Sequence, residues 1–422
     1  MVLNTLFYTI IGILLLQFLL ETLLKSLNAK RYNDPIPEEL DDVFDKEAYQ
    51  KAQEYKKTNH RFGILRSSFS LVLTLVFLIF GGFEWVDRLV RQVTEAPIGM
   101  ALLFFGTILL GSSLLTLPFS YYATFYIEDK FGFNKATKSL FFIDQLKTWI
   151  MSLIIGAAIL PLVMLFYRWA GQHFWIYAWS LIAVFSILMN LFYSKLIVPL
   201  FNKQSPLGEG TLKNDIEHYA QKVGFDLKNI FVIDGSKRST KANAYFSGFG
   251  KEKRVTLYDT LISDLEEKEI VAVLAHEVGH YKRKHIVFNM LLSLVLTALT
   301  LFVLSLFINN PQVSLAIGVT RPSFHAALVG FAILYSPISE LTGLFMNHLS
   351  RTFEYQADTY AKDTHGADAL VSSLKKLSKN NLSNLTPHPA YVFAYYSHPP
   401  LIDRIRNLQR SKKTTDTRIP TS

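Results

Sequence analysis

Seven apolar runs, each about 20 residues long, constrain this chain more than any other feature. They cover residues 4–24, 67–86, 98–117, 148–167, 174–194, 286–308 and 324–346. Wound as a helix, a run of that length matches the hydrocarbon thickness of a bilayer. Inside lipid, only a helix or a closed barrel satisfies every backbone N–H and C=O. The expected fold is therefore mainly α, a polytopic membrane protein with seven helices. Composition agrees: half of the 422 residues are hydrophobic and only 18% are charged, a balance unlike that of a soluble domain. The first run lacks the basic flank and small-residue cleavage site of a signal peptide, so it reads as a retained helix.

The basic residues sort by topology. Segments after the first, third, fifth and seventh runs carry 39 of the 43 Lys and Arg, and the three opposite loops hold only Arg88, Arg91, Arg168 and Arg321. Positive charge stays on the cytosolic side, which places the N-terminus outside and the C-terminus in the cytosol. The net charge of +9 thus reflects membrane orientation, and no nucleic-acid partner is expected.

Four units follow. Residues 1–194 hold five membrane helices and a polar loop at 25–66, and residues 195–285 form a polar segment. Residues 286–346 hold the last two helices, and 347–422 form a C-terminal polar segment with a flexible tail. Within 195–285 a helix is expected near 209–223 and a strand at Ile230–Ile233. Ala244–Phe249 and Arg254–Tyr258, joined through Gly250-Lys251-Glu252-Lys253, read as a β-hairpin. A small β-sheet should therefore accompany the helices.

The polar segment ends in His276-Glu277-Val278-Gly279-His280. Ser263-Asp264-Leu265-Glu266 reads as a capping box opening the helix that carries it. On a helix, positions i and i+4 share one face. His276 and His280 can then hold one metal ion, with Glu277 beside it as a general base for attacking water. The chain has no cysteine, which excludes thiolate ligation, disulfides and a cysteine nucleophile.

A catalytic zinc takes three protein ligands and a water, so one ligand is missing. Glu354 and Asp358, in Phe353-Glu354-Tyr355-Gln356-Ala357-Asp358, form an i, i+4 carboxylate pair. One can bind metal while the other orients a ligand histidine. The pair is also compatible with a solvated acidic face balanced by Arg351 and Lys362. Farther on, His398 precedes a helix start opened by Pro399-Pro400, and Arg404 follows. These two can donate to an oxyanion, or merely form a surface turn with an ion pair. His285 reads as an interfacial residue at a helix end, and the remaining histidines show no partner pattern.

Taken in order, these motifs resemble the type I CAAX prenyl proteases, the a-factor-converting membrane zinc endopeptidases. The likeness rests on Glu128-Asp129-Lys130-Phe131-Gly132-Phe133-Asn134-Lys135, Asn243-Ala244-Tyr245-Phe246, HEVGH, FEYQAD and Tyr396-Ser397-His398-Pro399-Pro400. It implies a cytosolic zincin-like portion with one zinc per chain, held by His276, His280 and Glu354, and Glu277 as base. It also implies Asp358 beside the metal histidine or as proton donor, and His398 and Arg404 steadying the tetrahedral intermediate. Asn243, Ala244, Tyr245 and Phe246 would form the strand edge that receives an extended peptide, and the helices would enclose an intramembrane chamber. The partners implied are the lipid bilayer and a peptide or protein substrate, with a prenylated C-terminus in the family's best-defined class. The membrane is then that of the endoplasmic reticulum or a bacterial inner membrane. A membrane-protein quality-control metalloprotease is the alternative enzyme, and a non-catalytic zinc-containing transport or assembly factor is a more distant reading.

Overall fold

A computed structural model describes residues 4–227, 229–247 and 254–410. The turn expected at 250–253, the end of the first hairpin strand and the tail beyond residue 410 lie outside the described residues.

The membrane portion begins with α1 (Thr5–Lys30) and α2 (Lys46–Ile79). The latter starts in the polar loop, capped by Asp45 on the Ala48 N–H, and runs unbroken into the bilayer. It ends at Gly81, whose φ of 69° turns the chain into α3 (Gly82–Val93), a short amphipathic helix burying Phe83, Val86 and Val90. The expected second span, 67–86, thus ends earlier and is followed by a separate surface helix. Next come α4 (Pro97–Tyr122), α5 (Lys138–Ala170) and α6 (Phe174–Leu196). Among the described residues, six apolar helical stretches are long enough to cross a membrane, and one of them runs 64 residues, Lys138–Phe201. A straight helix of that length would reach about 96 Å, several times too long for one crossing. The stretch instead folds back through a 3₁₀ turn at Gly171–His173, so it supplies α5 and α6 as two passes.

Short α7 (Val198–Phe201) leads to β1 (Gln204–Pro206), then α8 (Thr211–Lys222), β2 (Ile230–Ile233), β3 (Ala244–Ser247) and β4 (Arg254–Tyr258). The sheet order is β1-β2-β4-β3, with β2 and β4 parallel and the other pairs antiparallel. β3 is therefore an edge strand. Tyr245 faces Thr256 in register, and the Tyr258 N–H bonds to the Asn243 carbonyl. Alternation along an antiparallel ladder then turns the main-chain groups of Ala244 and Phe246 outward, to the free side.

Below the sheet lie α9 (Asp259–Asp264) and α10 (Glu267–Lys282). The capping box opens α10 at Glu266, closed by Glu269, three residues later than the pattern at Ser263 suggests. Ile270, Val271, Leu274 and Val278 of α10 pack with Ile216, Val255 and Leu257 in one core, each such burial stabilising by about 1.5–3 kcal/mol. α11 (His285–Phe307) re-enters the membrane, and α12 (Pro311–Leu315) leads to α13 (Phe324–His365). The 42 residues of α13 reach about 63 Å, so it crosses the bilayer and continues beside α10. α14 (Asp368–Asn380), α15 (Pro389–Tyr395) and α16 (Leu401–Gln409) are the last of the described helices.

Helices α10 and α13 approach closely at Gly279. A Cβ built there would meet the Ala357 Cα and carbonyl oxygen at 3.0 Å and the Tyr360 Cβ at 3.1 Å. Glycine costs about 1 kcal/mol relative to alanine inside a helix, so helix propensity opposes it at this position and the close approach requires it. Gly279→Ala should destabilise the protein by about 1–3 kcal/mol through overpacking, despite its better propensity. Thermal melting that shows a net gain in stability would contradict this account of the contact.

Candidate active site

His276 and His280 share the α10 face toward α13, and Glu354 and Asp358 share the facing side of α13. His276 Nε2 lies 3.1 Å from His280 Nε2 and 3.4 Å from Glu354 Oε2, and His280 Nε2 lies 3.2 Å from Glu354 Oε1. One ligand atom from each of the three falls within 4.8 Å of the others. Asp358 accepts from His276 Nδ1 at 2.8 Å, which fixes a proton there and leaves Nε2, aimed at the cluster, as the nitrogen that coordinates once its own proton is lost. Glu354 Oε2 is buried without a hydrogen-bond donor. Two imidazole nitrogens and a carboxylate converging on one point, with a buried oxygen left orphaned, are what a metal cation satisfies, so this ligand set fits a metal ion.

Asp358 is fully buried, and Arg404 clasps it from α16 with Nε at 2.9 Å and Nη2 at 2.6 Å. The remaining nitrogen, Nη1, lies 3.6 Å from Glu354 Oε2. His398 stands at the rim, largely exposed, with Nε2 3.4 Å from Glu354 Oε1. Burial raises the Glu277 carboxyl above its ordinary range, which makes it a stronger base. Burial also works to lower His276, but the Asp358 and Glu354 carboxylates outweigh it and hold the imidazole up at about 9.

The structure brings every candidate metal and catalytic residue to one cluster, and it adds two that sequence reasoning missed. His285, read as interfacial, is buried, stacked on Phe353 at 4.1 Å between ring centroids and hydrogen-bonded to His280. Gln356 closes the same chain, with Oε1 2.9 Å from His285 Nε2. Neither falls on an i, i+4 repeat with the motif histidines, so spacing gave no signal.

Asn243, Ala244, Tyr245 and Phe246 lie on and just before β3, which packs near α10 and α6. The Ala244 N–H, on the outward side, bonds at 2.9 Å to the neighbouring Asn243 side chain. A cavity of about 960 Å³ opens beside this edge, reaching between α6 and α11, where Ser186, Asn190, Asn289 and Ser293 line it. The loop at 128–135 holds the segment that enters β3. Lys135 N donates to the Arg238 carbonyl, Thr240 N donates to the Phe133 carbonyl, and Lys241 Nζ reaches Glu128 Oε2 at 2.7 Å.

A multi-pass membrane fold with an HExxH helix and a facing glutamate defines an integral-membrane metalloendopeptidase. Two family models cover the chain: one for the CAAX prenyl protease N-terminal region with five membrane helices matches residues 25–203, and Peptidase family M48 matches 206–412. The chain belongs to peptidase family M48. It is 34% identical to a CAAX prenyl protease 1 homolog of Arabidopsis thaliana, over 97% of this chain and 98% of that one. It is 32% identical to the human CAAX prenyl protease 1 homolog, with 94% of each covered. The crystal structure of S. mikatae Ste24p superposes with a TM-score of 0.90 at 33% identity, covering 96% of this chain and 99% of that one.

The raised His276 has a measurable consequence. Without metal, its imidazole is protonated below about pH 9, and a ligand must be neutral to coordinate. Metal binding at pH 7 should therefore release one proton from His276, and apparent affinity should rise about tenfold per pH unit toward pH 9. Calorimetry in buffers of different ionisation enthalpy reads this directly. Binding without proton release would show that His276 is already neutral.

Proposed function

We propose that the protein is a zinc endopeptidase that cleaves near the C-termini of CAAX-type prenylated proteins. The observation that carries this reading is the meeting of His276, His280 and Glu354 beside Glu277, in a chain similar over nearly its whole length to CAAX prenyl proteases. Two imidazoles and one carboxylate suit zinc, and no thiolate competes. Bound there, zinc supplies a Lewis acid that polarises the scissile carbonyl and acidifies water.

Glu277 takes the proton from the attacking water and passes it to the leaving amine. Asp358 orients His276 and is not the proton donor, because both of its oxygens are engaged by Arg404 and His276. His398 and Arg404 Nη1 offer donors to the carbonyl oxygen as it gains charge. The substrate adds to β3 as an extra strand, its main chain replacing the Asn243 side chain on the Ala244 N–H. The membrane units 1–194 and 286–346 carry the metalloprotease segments 195–285 and 347–422 on their cytosolic side. The charge asymmetry supports that orientation, and the eukaryotic relatives favour the endoplasmic reticulum over a bacterial inner membrane.

Purified protein should hold one zinc per chain and cleave a farnesylated CAAX peptide faster than its unmodified counterpart. Equal rates would point instead to a general membrane-protein protease. Glu277→Gln should keep its zinc and lose about 10²–10⁴-fold in rate. A variant faster than about a tenth of wild type would remove Glu277 as the base.

Peptide docking has its own test. Ala244→Pro deletes an outward N–H and should slow cleavage about tenfold, roughly the worth of one good hydrogen bond. Zinc content and melting temperature should hold, and Ala244→Ser should be mild. Unchanged cleavage by a well-folded Ala244→Pro protein would place the peptide elsewhere.

A further inference from the structure

The two candidate histidine ligands are oriented differently. His276 gives its Nδ1 proton to a carboxylate, whereas His280 Nδ1 faces another imidazole, His285 Nδ1, at 3.0 Å. On an uninterrupted helix, residues five apart point in directions about 140° apart and do not meet. Here α10 ends at Lys282 and Lys284 takes a left-handed conformation (φ 60°), so α11 starts in a new direction with His285 beneath His280. A non-glycine residue in that region is uncommon and disfavoured, so the corner is held by its surroundings. The His285 ring is locked by near-parallel stacking on Phe353, with an interplanar angle of 7°.

Proton bookkeeping along this chain has a definite direction. Gln356 presents its carbonyl oxygen to His285 Nε2, so that nitrogen carries the proton. His285 Nδ1 is then a lone pair and accepts from His280 Nδ1, which leaves His280 Nε2 free to coordinate. We propose that His285, backed by Gln356, is the positioning residue for His280, fixing the tautomer and ring angle in which it ligates metal. This rests on the zinc reading above and adds a residue to it. Both orienting devices add no net charge. The Asp358 carboxylate is offset by the Arg404 guanidinium, and the His285–Gln356 pair is neutral. Glu354 is then the one uncompensated anion among the ligands and their orienting partners, a low charge that preserves the electrophilicity of a bound cation.

Two substitutions separate orientation from packing. His285→Phe keeps a ring to stack on Phe353 but removes the acceptor. His285→Asn loses the stack but carries an oxygen where Nδ1 stood. Zinc dissociation constants, measured on the full-length detergent-solubilised protein by competition with a chromophoric chelator, should weaken about 10–100-fold for His285→Phe. His285→Asn should bind closer to wild type, and Gln356→Leu should weaken binding in the direction of His285→Phe. The cobalt-substituted protein should show a shifted d–d absorption band in His285→Phe. Wild-type zinc affinity and an unshifted cobalt spectrum in His285→Phe would overturn the proposal. So would weaker binding by His285→Asn than by His285→Phe, which would make the role one of packing. A wild-type protein that fails to bind zinc at all would sink the zinc reading itself, an outcome separate from both.

Discussion

The approach of α10 to α13 at Gly279 is the contact on which the rest of the site depends. The candidate ligands are split between these helices, two imidazoles on one and a carboxylate on the other. Neither helix is a site alone. A side chain at position 279 would meet backbone atoms of Ala357, one residue from Asp358 and three from Glu354, and backbone cannot rotate away. The glycine of the HEVGH motif therefore sets the distance at which the two halves of the cluster meet. The α10 core beneath the sheet supports it from the other side through Ile270, Leu274 and Val278.

Charge is arranged around that contact with equal economy. Arg404 reaches in from α16 near the C-terminus, so the last described helix closes an electrostatic circuit begun more than a hundred residues earlier. It neutralises Asp358 while Asp358 holds His276, which lets a buried carboxylate orient a ligand without flooding the centre with negative charge. The N-terminus of α10 is secured similarly, with Glu269 both closing the capping box and receiving Lys376 and Ser372 from α14.

Much of this was legible in sequence because it obeys strict periods. The membrane helices follow from run length, the His276–His280 and Glu354–Asp358 pairs from the helical repeat, and Ile230–Ile233 from its β-branched run. The failures also have physical causes. The expected second span overruns to residue 86 because Phe83, Trp85 and Val86 carry the apolar run a few residues past the turn at Gly81, into the start of the amphipathic α3. The pattern at Ser263 falls inside the short helix Asp259–Asp264, and extended backbone at Leu265 and Glu266 separates that helix from α10, so the cap forms at Glu266 instead. The roles of His285 and Gln356 required the left-handed corner at Lys284, which no local pattern announces.

The continuity of α13 makes the lipid itself a structural parameter. Pro337, within the membrane half, lies 17 residues from Glu354, about 26 Å along one rigid rod. Pivoting that rod by about 2° displaces its far carboxylate by about 1 Å, while coordination distances tolerate only about 0.2 Å. Bilayer thickness acts on helix tilt. The protein is thus geared to its membrane, with the span as the long arm of a lever, the carboxylate at its tip, and the glycine seam against α10 as the stop that keeps the tip in register.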